Sequence, residues 1–446
     1  MLNEQPWIKY STDIHQDWKQ ACDEGKDVRH LEDECLRVTS LSNDDTDKDS
    51  LATNLYKKLY LAKVDESYSY IEPSTLEEIR NQRPSLRPHL SQSISTSNLE
   101  NKILGAWLGR ISGCLLGKPV EGYKTERLYK LLKANSNYPL ACYISPEISD
   151  ELKKEIDFDS DKAWLNTFCG AAPADDDTNY TVLALKIVEK YGKNFTPSDV
   201  AEAWLQWMPM LSTCTAERVA YKNLAQGIIP PESATFMNPY REWIGAQIRA
   251  DFWGYINPGN PELAAEMAWR DASISHVKNG IYGEMFVSAM LAAAATTNDI
   301  LLVIETGLGE IPLKCRLAEK IQLVLSWFKE EVSQKDVMKK IHQEFDEYNW
   351  HHWCHTISNA MIVVFALLYG NKELGRSICL AVEAGFDTDC NGATTGSIVG
   401  MMIGAKNIPV YWTEPFNNLL HTTIEGYNNA EISILARKPL ELIEKL

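Results

Sequence analysis

Long apolar runs are missing from this chain. No stretch supplies the roughly 20 consecutive apolar residues of a membrane-spanning helix, so no membrane partner is expected. The opening MLNEQPWIKYSTDIHQ lacks the apolar core of a secretory signal, and a cytoplasmic location is the expectation. Positive charge is scarce. Lys and Arg number 44 against 61 Asp and Glu, a net charge of −17. That balance disfavours nucleic-acid backbones and anionic surfaces, so no nucleic acid is expected as a partner, although a local basic pocket stays compatible with it. Ten cysteines are present but no C-x-x-C pair, which argues against a zinc ribbon or a thioredoxin-like centre. Without a secretory signal the thiols are expected to be reduced and mostly buried. The G-x-S-x-G elbow and the G-x-x-x-x-G-K-[ST] loop are both absent, which argues against a serine hydrolase and a P-loop enzyme.

What is present is mostly helical in spacing. Apolar residues recur at helical intervals through Val182–Tyr191, Val200–Met208, Pro261–Ile274, Tyr282–Ala295, Arg316–Phe328, Ile357–Leu368 and Gly392–Gly404, and strict two-residue alternation is rare. The fold class predicted is all-α, a compact orthogonal multi-helix domain. Residues 1–97 differ in character. They are acidic (SLSNDDTDKDS), show helical spacing around Asp13–Arg37 and Leu51–Val64, and end in the linker-like NQRPSLRPHLSQSISTS. The expected division is an N-terminal appendage over 1–97 and a main domain over 98–446. Whether the appendage is an arm, a cap or partly disordered stays open at this point.

Glycines stand out. Gly105, Gly109, Gly113 and Gly117 recur every fourth residue, as do Gly392, Gly396, Gly400 and Gly404. Each set forms one stripe on a helix and gives up roughly 4 kcal/mol of helix propensity. Close backbone packing is the simplest offset, and the two helices packed on each other are one arrangement that supplies it. Trp350-His351-His352-Trp353-Cys354-His355 has the residue types of a metal site but no acidic residue at zincin spacing, and a packing role is favoured.

Three blocks carry candidate chemistry. Asp175-Asp176-Asp177 precedes an apolar helix. One Asp serves as an N-cap, but three adjacent carboxylates repel one another, and a hard divalent cation would compensate them. Asp387-Thr388-Asp389 precedes the second glycine-striped helix and places two more carboxylates near amide donors. Glu121 follows the first stripe on a loop after Pro119. Taken singly, Asp175–Asp177 reads more readily as a solvated acidic helix start and Glu121 as solvated surface, while Asp387–Asp389 reads just as readily as a capped turn.

Together the blocks resemble the ADP-ribosylglycohydrolase family in order, spacing and flanking sequence. LGAWLGRISGCLLGKPVEG matches its G-x-x-x-G-x-x-x-G-D-x-L-G-x-x-x-E opening, Asp175–Thr178 its T-D-D-T, and GFDTDCNGATTGSIVGMMIG its G-x-D-T-D-T-N. The resemblance implies hydrolysis of an ADP-ribosyl N- or O-glycosidic bond on a modified protein side chain or small acceptor. It implies two divalent metal ions, Mg2+ or Mn2+, held by Asp175, Asp176, Asp177, Asp387, Asp389 and Cys390. Glu121, Asp177 and Asp387 are the implied catalytic residues. Arg249, Asp251, His276 and Asn391, with Glu121, are the implied substrate contacts. Three positions depart from the family pattern: Asp175 and Cys390 stand where Thr is usual, and Cys114 where Asp is common. A thiol is a soft ligand that magnesium does not favour. The departures leave two alternatives open, a hydrolase of another nucleotide or nucleoside glycoside and a non-catalytic nucleotide binder.

Overall fold

The computed structural model describes residues 5–90, 95–158 and 170–445. Among them are 22 α-helices and one two-stranded antiparallel sheet, Leu419–His421 with Asn429–Glu431. The chain is therefore all-α, as its spacing predicts. No helix among the described residues is long and apolar enough to cross a membrane. The Lys278–Ala294 and Thr356–Tyr369 helices are apolar round most of their circumference, and they are buried on nearly every face at the centre of the molecule.

The two glycine-striped segments form the helices Thr96–Gly117 and Thr388–Ile403. They lie antiparallel and pack stripe on stripe, as the spacing suggested: Gly105 faces Gly400, Gly109 faces Gly396, and Gly113 faces Gly392. A Cβ at Gly109 would stand 2.0 Å from the Gly396 carbonyl oxygen, and one at Gly113 1.9 Å from that of Gly392. Only hydrogen fits, and the dispersion gained by such close approach offsets the lost propensity. The register has a consequence for function. Gly117 ends one helix beside the start of the other, where the Thr388 hydroxyl donates to the Gly117 carbonyl at 2.9 Å. The loop bearing Glu121 therefore emerges next to Asp387 and Asp389.

The N-terminal segment folds onto the rest. Its Asp13–Arg37 stretch is not one helix but two, Ile14–Asp23 and Glu32–Ser40, parted at Gly25. Gly25 has φ +74° and lies against the Tyr68 ring, a conformation and a space that exclude a side chain. With the Lys48–Leu61 helix these pieces close a small core of Ile14, Val28, Val38, Leu55 and Leu59. Buried ion pairs bind this core to the main body. Arg241 reaches Asp17 at 2.5 Å and Glu24 at 2.8 Å, and Arg316 reaches Glu72 at 2.9 Å and Glu242 at 2.7 Å. The Pro- and Ser-rich stretch that reads as a linker is pinned where it is described: Arg83 pairs with Glu310 and Glu262, and Arg87 with Glu310 at 2.9 Å. Residues 91–94 of that stretch lie outside the described residues.

The histidine cluster joins the same seam. The His351 and His355 rings face Asp23 through Nε2, at 2.9 and 3.9 Å. His351 Nδ1 accepts from the Trp243 indole N–H, and His355 Nδ1 accepts from the Ile357 backbone N–H. In each neutral ring the proton must then sit on Nε2, pointing at Asp23, so neither ring has a lone pair there for a metal. The cluster fastens the appendage to the body.

Candidate active site

Three segments meet at one end of the glycine-striped pair. Asp175 caps the Asp176–Tyr191 helix, its Oδ1 accepting from the Asp177 N–H at 3.0 Å. Arg110, on the first striped helix, fixes this turn. Its Nε donates to the Asp177 carbonyl at 2.9 Å, while its other nitrogens lie 3.3 Å from the Asp177 carboxylate and 2.7 Å from Asp251. Asp387 and Asp389 arrive at the start of the Thr388–Ile403 helix, and Glu121 on its loop. Two helix N-termini thus converge on one acidic cluster, and their partial positive ends favour carboxylates there.

Six carboxylates crowd the site: Glu121, Asp175, Asp176, Asp177, Asp387 and Asp389. The cations within reach are Lys118 and Arg110. Burial pushes the Asp176, Asp177 and Asp387 carboxyls well above their ordinary range, and the neighbouring carboxylates add to it. The charge of Asp389, with burial second, lifts Glu121 to about 7. Burial is the largest influence on Asp175 and works against its ionisation, but Lys118 and the hydrogen bonds from the Asp177 N–H and Asp176 together pull that carboxyl down. Such stored repulsion calls for positive charge. Ligand atoms of Cys114, Asp175 and Asp177 lie within 4.8 Å of one another, and so do those of Asp177, Asp389 and Cys390. Oδ2 of Asp177 and Oδ1 of Asp389 are buried without a hydrogen-bond partner. A hard-oxygen site for divalent cations fits these residues, with Asp177 common to both triads and a thiol on each side. Asp176 and Asp387 belong to neither triad but line the cleft above.

That cleft encloses about 670 Å3, a volume suited to a nucleotide-sized ligand. Its floor holds Glu121, Asp176, Asp387, Asp389 and Cys390. One wall carries Tyr240, Trp243, Trp350 and Trp353 with Glu217, and the other is formed by the appendage through Trp7, Asp13, His15 and Gln16. A depression of about 680 Å3 beside Pro139, Arg376 and Trp412 holds the buried Glu383. That carboxylate already accepts from the Leu140 N–H at 2.7 Å, so the depression carries no comparable chemistry.

Four expected substrate contacts do not line the cleft. Arg249 is 1% exposed and spends its donors on Asp271 at 2.6 Å, Glu217 at 3.0 Å and Ser275 at 2.8 Å. Asp251 is sealed against Arg110, His276 is buried beside the Ser275 hydroxyl at 2.8 Å, and Asn391 donates to Asn359 at 2.8 Å. Burying charges this deep requires partners, and the partners consume the groups a ligand would need. These residues position others: Asp251 orients Arg110, and Arg249 orients Glu217. Sequence reasoning missed Lys118, Arg110, Glu217 and the tryptophans. Lys118 and Arg110 stand inside the opening motif, at positions that it leaves unspecified. Glu217 and the tryptophans carry no motif at all.

Fold and site together define an all-helical protein with a carboxylate-built centre beneath an aromatic-walled cleft. The ADP-ribosylglycohydrolase family model matches residues 95–443, and the chain belongs to this family of glycohydrolases. A solved structure described as an "ADP-ribosylglycohydrolase-related protein complex" is similar over 78% of this chain and 99% of that one, at 17% identity and a TM-score of 0.46. No curated protein matches the chain.

Proposed function

We propose that the chain is a metal-dependent hydrolase of ADP-ribosyl N- or O-glycosidic bonds, releasing ADP-ribose from a modified protein side chain or a small acceptor. One observation carries the reading: Glu121, Asp176, Asp387 and Asp389 share the floor of a single nucleotide-sized cleft. Divalent metal held on the Asp175–Asp177 and Asp387–Cys390 segments, magnesium or manganese by the family resemblance, would supply Lewis acidity toward ribose hydroxyls and a bound water of lowered pKa. The chain's own groups do the rest. Breaking the link to the anomeric carbon builds positive charge on the sugar, and the carboxylate floor stabilises that charge. Glu121 lies on a loop with its side chain 36% exposed, and its carboxyl titrates near neutrality, which suits a base that takes a proton from water. Arg110 holds Asp177 in place through both its carbonyl and its carboxylate. Trp243, Trp350 and Trp353 offer flat apolar surface for a base.

The test is release of ADP-ribose from ADP-ribosyl-arginine and ADP-ribosyl-serine peptides, with magnesium, manganese or chelator, beside an Asp387→Ala/Asp389→Ala variant. Release that needs metal and vanishes in the variant is the expected result, and the peptide cleaved identifies the linkage. No release from either peptide by a metal-loaded protein would overturn the reading in favour of a different glycoside.

A further inference from the structure

We infer that the Lys118 ammonium takes over one of the two positive charges of the acidic centre, so that the centre seats a single divalent cation on Asp177, Asp389 and Cys390. The inference rests on the acidic cluster being a cation site and refines its stoichiometry.

Lys118 occupies the 3-10 turn that closes the first striped helix, with Pro119 directly after it. Its Nζ lies 2.7 Å from Glu121, 3.0 Å from Asp175 and 3.1 Å from Asp389. These carboxylates come from three separate segments: a loop and the starts of two helices. Tying such segments together is the work of a bridging cation. The ammonium donates to Glu121 and Asp389 and forms an ion pair with Asp175, so one cation serves all three carboxylates. The side chain is 23% exposed, so solvent screens these contacts only in part.

The oxygens left over decide where a metal sits. Asp175 Oδ1 accepts from the Asp177 N–H at 3.0 Å, while Oδ2 makes no hydrogen bond but lies 3.0 Å from the Lys118 ammonium as its ion-pair partner. In the triad of Cys114, Asp175 and Asp177 the remaining Asp175 oxygen therefore already faces a cation. Asp389 is divided differently. Oδ2 faces Lys118 at 3.1 Å, while Oδ1 is buried with no hydrogen-bond partner. Asp177 Oδ2 is likewise buried and unpartnered. With the Cys390 sulfur these two oxygens form the second triad. One ligand set is open and one is closed by the ammonium. Like charges also repel, so a second divalent ion in the Asp175 triad would sit against Lys118 at short range. Two oxygens and a thiolate suit a borderline ion such as zinc or cobalt(II) better than magnesium.

The test uses the full chain and cobalt(II). Ions bound per chain are counted by calorimetric titration and by elemental analysis after gel filtration. Wild type should hold one ion and show a thiolate-to-cobalt charge-transfer absorption that Cys390→Ser removes. Lys118→Met and Lys118→Gln, which delete the charge, should each hold two. In chelator both variants should melt below wild type and recover when cobalt is added, and a variant that does not fold alone is refolded with cobalt and counted. Two ions in wild type, or one in both Lys118 variants, would overturn the inference and leave the metal-dependent reading standing. No ion in wild type would instead sink the cation site itself, and the inference with it.

Discussion

Glu217 begins the buried side of the Thr215–Ala225 helix, with Arg249 at 3.0 Å from one oxygen. Burial raises its carboxyl from 4.5 to about 7 despite that arginine. A carboxyl whose folded pKa exceeds its unfolded value stabilises the fold while protonated. That contribution is complete below about pH 4.5 and is lost as pH rises through about 7, and the gap corresponds to roughly 3 kcal/mol. Glu217→Gln keeps the shape and the acceptor for Arg249 while removing the titration. Urea unfolding of this variant between pH 5 and 8 should therefore show a flatter stability profile than wild type, with the variant the more stable at pH 8. A trade of the same kind is expected at Asp387, whose carboxyl is buried beside Asp389. In chelator, Asp387→Asn should unfold at higher temperature than wild type, by roughly 1–2 kcal/mol of added stability, yet release no ADP-ribose. A lower melting temperature in chelator would count against stored repulsion at the site.

Between elements, the striped helix pair is the most exacting contact. The Cβ of Gly109→Ala would come 2.0 Å from the Gly396 carbonyl oxygen, which is backbone and cannot turn aside. The helices would have to separate, at a cost of about 3 kcal/mol or more in chemical denaturation. The crossing also sets Glu121 beside Asp389, so hydrolysis should fall further than stability alone explains when assayed well below the melting temperature. The seam to the appendage is the second critical contact. Arg241→Met would leave Asp17 buried without its cation and Glu24 with only the more distant Lys26 and Lys278, with an expected loss of about 3–5 kcal/mol in the same measurement.

At the scale of the whole molecule, the appendage and the main body share buried charges and a cleft. Arg241, Arg316 and Glu242 belong to the body, and their partners Asp17, Glu24 and Glu72 to the appendage. Calorimetry of the full chain should accordingly show one cooperative transition. A chain starting at residue 95 should aggregate or melt far lower, because it exposes those charges together with the face under the appendage. Two well-separated transitions in the full chain, with the truncated form as stable as the later one, would refute this coupling.

Several of these features are legible from residues alone because local rules govern them. Helical spacing determines the all-α class, the two glycine stripes announce a close helix crossing, and two acidic runs beside helix starts, with Glu121 on its loop, mark the chemistry. Other features depend on which segments meet, and no local pattern encodes that. Gly25 splits a stretch whose spacing reads as one helix, because Tyr68 fills the space a side chain would need. Arg249, Asp251, His276 and Asn391 sit in segments that resemble substrate contacts, yet folding buries them and binds them to other buried groups, among them Asp271, Arg110, Ser275 and Asn359. Lys118 looks like a stray charge in an apolar helix until the antiparallel register brings Asp175 and Asp389 to its Nζ. The residues by themselves determined the helices and the carboxylates. Tertiary structure alone decided which carboxylates share a cation, since burial and distance set charge pairing.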